Sequence, residues 1–226
     1  MIAILICDTP AAHLIETYGD YGTMFKRLLS SHEILCFDVT KGVFPPKHTA
    51  FDAYLITGSR YSAYDPEEWI QRLKEFIKEL DESRSKVIGI CFGHQIIAEA
   101  LGGKVNPNEL GWEVSVCKVA PNLAGETYLR QKGDFNIQQM HKDIVSRVPK
   151  EFLILAADNQ VMYKPKQYLT FQGHPEFSAG YVSDLIKMRI ENGIFDLESG
   201  NEYLSRASSP CDGDFLRGVL DCFIRE

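Results

Sequence analysis

The sequence predicts an α/β fold, a three-layer domain with a largely parallel central sheet flanked by helices. Two observations carry this expectation. Short runs rich in Val, Ile and Leu alternate with runs of helical period. The strand-like runs are continuously apolar, as strands covered on both faces require. With 226 residues, 45% of them hydrophobic, the chain can bury a sizeable core in one compact domain.

The elements follow in order. "IAILIC" (2–7), "ILCFDV" (34–39), "AYLIT" (53–57) and "KVIGI" (86–90) read as strands. Residues 66–80 read as a helix, with Trp69, Leu73, Phe76, Ile77 and Leu80 on one stripe. Asp65 is placed to cap it, Pro66 fits its first turn, and Glu68 completes a capping-box pattern. Residues 94–101 read as the next helix, closed by Gly102 and Gly103. The second half has more β character, in "WEVSVCKV", "FNIQQMH", "EFLILAAD" and "YLTFQGH". Ser178 then caps a helix that carries Tyr181, Val182, Leu185, Ile186, Arg189 and Ile190 and stops at Asn192-Gly193. Residues 195–212 are polar and Ser-rich and are expected to form a surface loop. Leu216, Val219, Leu220, Phe223 and Ile224 mark a last amphipathic helix, which completes a single domain over 1–226.

Bulk properties narrow the function. The net charge is −7 and no basic cluster stands out, which argues against a nucleic-acid binder. No apolar run approaches the roughly 18 residues of a membrane span, and "MIAILICDTP" reads as a first strand, not a signal peptide. Six cysteines, without a C-x-x-C pair, read as reduced thiols of a cytoplasmic protein and not as a disulfide framework or zinc site. No cofactor and no metal is expected.

"VIGICFGHQIIAEALGG" (87–103) places Cys91 between a strand-like and a helix-like run, with Gly89 and Gly93 on either side. A nucleophile on such a turn is lifted above the sheet and sits at a helix N-terminus, whose dipole favours a thiolate. The turn is crowded, which suits glycine neighbours. An unperturbed cysteine is only about 3% thiolate at neutral pH, so a base is needed. His174, in "LTFQGHPEF", follows a strand-like run, and Glu176 lies two residues on, within reach of its ring. Both Cys91 and His174 fall at carboxyl ends of strands, where parallel α/β sheets bind ligands. An oxyanion would need donors. The backbone N–H of Phe92 is one candidate, and the Gly58-Ser59 turn after "AYLIT" supplies others.

These residues resemble a known family. "GICFGHQ" (89–95) resembles the nucleophile elbow of class I (triad) glutamine amidotransferases, and "GHPEF" (173–177) their downstream His-x-Glu. Four fixed elbow positions should recur by chance in on the order of one chain in 1,000 of this size. "ITGSRYSAYDPEEWI" and "LGWEVSV" resemble the free-standing, GMP-synthetase-like branch, while "ETYGDYGTMF" and "DVTKGVFP" resemble the plant γ-glutamyl peptidases.

The resemblance implies a flavodoxin-like layered fold and hydrolysis of a γ-glutamyl amide through a γ-glutamyl thioester, with Cys91, His174 and Glu176 as the triad. It implies that Gln95 helps hold the glutamyl group and that the loop "QMHKD", with Met140 and His141, reads its α-amino and α-carboxylate groups. His94 is expected on the elbow helix, outside the proton relay. No G-x-x-x-x-G-K-[ST] pattern is present for ATP. The expectations are therefore direct hydrolysis of a small γ-glutamyl substrate, a glutaminase subunit supplying ammonia to a separate synthetase, or a non-catalytic relative.

Overall fold

The apolar runs at 2–6, 53–56 and 87–90 fold into largely buried strands, whereas the run at 34–38 forms an edge strand that leaves Leu35 and Cys36 exposed. A computed structural model describes residues 1–46 and 50–226. In chain order the elements are β1 (Ile2–Ile6), α1 (Ala12–Tyr18), α2 (Tyr21–Leu28), β2 (Ile34–Asp38), β3 (Ala53–Ile56), α3 (Glu68–Glu82), β4 (Val87–Ile90) and α4 (Phe92–Ala100). There follow β5 (Lys104–Pro107), β6 (Glu113–Val119), α5 (Leu123–Leu129), β7 (Phe135–His141), β8 (Asp143–Arg147), β9 (Leu153–Ile154), β10 (Val161–Lys164) and β11 (Tyr168–Phe171). The helices α6 (Ala179–Glu191), α7 (Leu197–Arg206) and α8 (Gly213–Arg225) complete the chain.

Seven strands form the main sheet in the order β2-β1-β3-β4-β11-β10-β9. The first five run parallel, and β10 and β9 add an antiparallel edge. Alternate residues serve opposite faces. Ile4, Leu55 and Ile88 pack with Phe25 of α2 and with Leu216, Leu220 and Phe223 of α8. Leu5, Ile56 and Val87 pack with Ile70, Leu73 and Ile77 of α3 and Ile96 of α4. This is the expected three-layer arrangement. Two antiparallel pairs, β5-β8 and β6-β7, stand beside the main sheet. A third apolar cluster joins α1, α6 and α7 through Leu14, Tyr181, Val182, Leu185 and Tyr203.

The structure corrects three expectations. Asp65 does not cap α3: its Oδ2 accepts the Ser62 N–H at 2.8 Å and closes a turn, so the helix begins at Glu68, where Glu67 makes no side-chain cap. The helix forms regardless because its stripe is buried. Full burial of each large apolar side chain contributes roughly 1.5–3 kcal/mol, against about 1 kcal/mol for a missing cap. Residues 195–212 are not a surface loop, since most of them form α7. Asp196 accepts the Ser199 N–H at 2.8 Å as its N-cap, and Tyr203 and Leu204 pack onto α6. With only Leu197, Tyr203 and Leu204 as large apolar residues the helical segment reads as polar, and the helix depends on its neighbour. Finally, "EFLILAAD" supplies only the two-residue edge strand β9, because Leu155 and Ala156 turn into the core.

The elbow depends on close backbone packing. A Cβ on Gly93 would lie 2.2 Å from the Ile56 carbonyl oxygen, whereas a Cβ on Gly218, within α8, would meet nothing within 4 Å. In urea melts Gly93→Ala should therefore lose about 1–3 kcal/mol, as overpacked sites do. Gly218→Ala should be neutral or gain up to about 1 kcal/mol. Equal stability of the two variants would contradict this packing.

Candidate active site

Cys91 ends β4 and starts α4 through a sharp turn. Its backbone adopts φ 53° and ψ −103°, which is strained for a residue with a β-carbon and costs on the order of 1–3 kcal/mol. Hydrogen bonds hold the turn from both sides. The Cys91 N–H donates to the Phe171 carbonyl at 2.9 Å, and its own carbonyl accepts the Gln95 N–H at 3.0 Å. β11 and the first turn of α4 thus fix the backbone that carries the thiol.

His174 follows β11, and its N–H donates to the Gln138 carbonyl of β7 at 2.8 Å. The ring is buried, with Nδ1 2.8 Å from Glu176 Oε1. Glu176 is itself almost fully buried. Phe177 stacks on the imidazole, with ring centroids 3.9 Å apart and planes 4° from parallel. Burial opposes the charged imidazole, but the Glu176 carboxylate and then Cys91 outweigh it and raise the His174 pKa to about 10. The folded protein therefore holds an imidazolium at neutral pH.

Cys91 and His174 meet above Gly58. A Cβ placed on Gly58 would come within 2.8 Å of His174 Cε1 and 3.7 Å of the Cys91 Cβ, so glycine is what admits the ring. Both side chains line one cavity of about 330 Å³, and Asp8, Gly58 and Ser59 share its wall. Carboxyl ends of β1, β3, β4 and β11 thus converge on one place, as the expected topology requires.

The remaining expected residues surround the same point. Phe92 is the first residue of α4, so its N–H has no acceptor within the helix. Ser59 donates its hydroxyl to the Cys7 carbonyl at 2.9 Å, which pins the Gly58-Ser59 turn against β1. Gln95 is buried, and its Nε2 donates to the Asp143 carbonyl at 2.8 Å. It therefore braces the β7-β8 turn as well as facing a recess beside Cys91. Met140 and His141 line that recess too. His141 Nδ1 meets the Asp143 carbonyl at 3.0 Å, and its Nε2 lies 3.1 Å from Glu113. His94 is buried on α4 with Nδ1 2.8 Å from the Thr170 hydroxyl, and burial lowers its pKa to about 3, so it stays neutral. Among the described residues, no group of three or more His, Cys, Asp or Glu could hold a metal ion.

Several contributors carry little signal in the sequence. Phe177 adjoins the H-P-E triplet, but nothing in its identity marks it as a stacking partner. Arg60 is taken by Asp8, with Nε 2.9 Å from Oδ1, across 52 positions of sequence. Arg189 resembles an ordinary basic residue in the last turn of a helix, yet it lines the cleft.

A larger groove of about 1190 Å³ between α5 and α8 shares no lining residue with this cleft.

Comparison with known proteins agrees with this architecture. The model of the class-I glutamine amidotransferase family matches residues 26–188. The whole chain aligns at 37% identity with 98% of a glutamine amidotransferase-like protein of Schizosaccharomyces pombe. Gamma-glutamyl peptidase 4 of Arabidopsis thaliana is 32% identical over 84% of this chain and 81% of that protein. A glutamine amidotransferase from Thermotoga maritima matches all of this chain and 99% of its own, with a TM-score of 0.75 at 18% identity, which is a likeness of fold. On the family match and the extent of these alignments, the chain belongs to the class-I glutamine amidotransferases.

Proposed function

We propose that this protein hydrolyses γ-glutamyl amides, with Cys91 as nucleophile, His174 as proton carrier and Glu176 as the group that orients and charges His174. The observation that carries the reading is the buried Glu176–His174 pair set over Cys91 in one cavity. The likeness to a γ-glutamyl peptidase supports direct hydrolysis of a small substrate. Six free cysteines fit a reducing compartment, and the proposed location is the cytoplasm.

The chemistry proceeds in two steps. Nδ1 of His174 faces Glu176, and the reaction starts from the ion pair in which Nε2 already holds the proton that the Cys91 thiol has given up, leaving a thiolate beside the imidazolium. Sγ attacks the γ-carbonyl carbon. The oxygen that gains charge is held by the Phe92 N–H and by N–H groups of the Gly58-Ser59 turn. The C–N bond breaks as the imidazolium proton passes to the amine nitrogen, and a γ-glutamyl thioester remains. A water molecule then gives a proton to His174 while its oxygen bonds to the acyl carbon. The C–S bond breaks and glutamate leaves. The recess bounded by Gln95, Met140 and His141 takes the glutamyl end.

Glutamate release from glutamine, glutathione and other γ-glutamyl amides tests the reading. Cys91→Ala should abolish release without changing the melting temperature; turnover retained in this variant would refute the nucleophile. Release that requires an added synthetase would replace hydrolysis by ammonia supply. His174→Ala should slow alkylation of Cys91 by iodoacetamide at neutral pH, because the thiol loses its proton acceptor, and an unchanged rate would count against the pairing. Activity should decline above about pH 10, as the imidazolium that protonates the leaving amine is lost. Glu176 is a cause of the raised pKa, so Glu176→Gln should move this alkaline limb toward neutrality. A limb that stays in place would exclude the role given to Glu176.

A further inference from the structure

The cleft over Cys91 has two lobes. A recess of about 50 Å³ lies toward Gln95, Trp112 and the 140–143 turn. The lobe of about 330 Å³ lies toward the loop after β1 and one side of α6. Cys91 lines both, but His174 lines only the larger. The group that protonates the leaving amine must face it, so the amine part of the substrate occupies the larger lobe.

Arg189 stands on the wall between them. Its guanidinium lies 4.7 Å from the Trp112 ring centroid and 5.5 Å from that of Phe195. Among the described residues its buried Nη1 has no hydrogen-bond partner and no carboxylate pairs with the group. Arg60, the other guanidinium of the larger lobe, is already taken by Asp8. A half-buried guanidinium whose buried Nη1 is unmatched is costly, and an arginine stays charged, so a bound anion would relieve it. The rest of that wall is mainly apolar, with Leu14, Phe177, Leu185, Met188 and Ile194. Leu185, Met188, Asn192 and Ile194, the neighbours of Arg189 along the chain, face the larger lobe and not the recess.

From this we infer that Arg189 receives a carboxylate carried by the amine part of the substrate, so that the preferred substrates are γ-glutamyl peptides rather than amides of neutral amines. The inference rests on the γ-glutamyl hydrolysis proposed above. Arg189 acts by binding through its planar fork, which suits a carboxylate; it takes no part in bond making or breaking.

The test uses the full chain and a pair of substrates that differ by one carboxylate, γ-glutamylalanine and γ-glutamylethylamide. Wild-type protein should show the higher kcat/KM for γ-glutamylalanine. In Arg189→Met this preference should fall by roughly 10- to 100-fold, the worth of a charge-assisted hydrogen-bonding pair, and the fall should appear mainly in KM for γ-glutamylalanine. Arg189→Lys keeps the charge without the fork and should give an intermediate preference; it also serves as the test should Arg189→Met not fold. A preference unchanged in the variants, as when Arg189 binds the α-carboxylate common to both substrates, overturns the inference and leaves the hydrolysis standing. Failure of the wild-type protein to release glutamate from either substrate overturns both.

Discussion

A carboxylate buried 2.8 Å from an equally buried imidazole is the interaction on which the rest of this site depends. Burial alone drives a histidine toward neutrality, as His94 shows three residues on from Cys91, with its pKa lowered to about 3. His174 is as deeply buried and goes the other way, to about 10. The difference lies in the partner. His94 meets the neutral hydroxyl of Thr170, whereas His174 meets Glu176 and the cysteine. Phe177, stacked on the ring, fixes its plane and leaves one nitrogen for Glu176 and the other for the cleft.

The parallel sheet makes this pair useful by carrying it to the right place. Cys91 and His174 end neighbouring strands, β4 and β11, which run in register from Val87 opposite Tyr168 to Ile90 opposite Phe171. Gly58 ends the strand on the other side of β4. Positions separated by 33 and 83 residues in the chain are thus adjacent at the carboxyl end of the central strands. The strained backbone at Cys91 persists because Phe171 and Gln95 hold it and the Gly93 backbone is pressed against Ile56. In the proposed reaction that strain positions the sulfur without any movement at the moment of attack.

The cleft owes its further character to elements outside the central sheet. The α1, α6 and α7 cluster supplies the apolar wall and brings Arg189 to Trp112 and Phe195. Set beside the Trp112 and Phe195 rings, the guanidinium is held in place, and among the described residues its Nη1 has no hydrogen-bond partner. A group ordered in this way needs no rearrangement to receive a ligand, which is the energetic advantage of a site formed before binding.

How far sequence alone reaches follows from how local each cause is. The continuous apolar runs determine the buried strands, and the stripe on α3 determines its helix, because periodicity is written into consecutive residues. The elbow glycines and the Glu176 spacing are legible for the same reason: each constraint acts within a few positions. Tertiary structure alone decides that Asp65 closes a turn instead of capping α3, that α7 forms where the sequence reads as a loop, and that Arg60 is neutralised by Asp8 while no carboxylate among the described residues pairs with Arg189. These outcomes depend on which distant groups come within a few ångströms, and burial and charge pairing are properties of that meeting, not of any one stretch of chain.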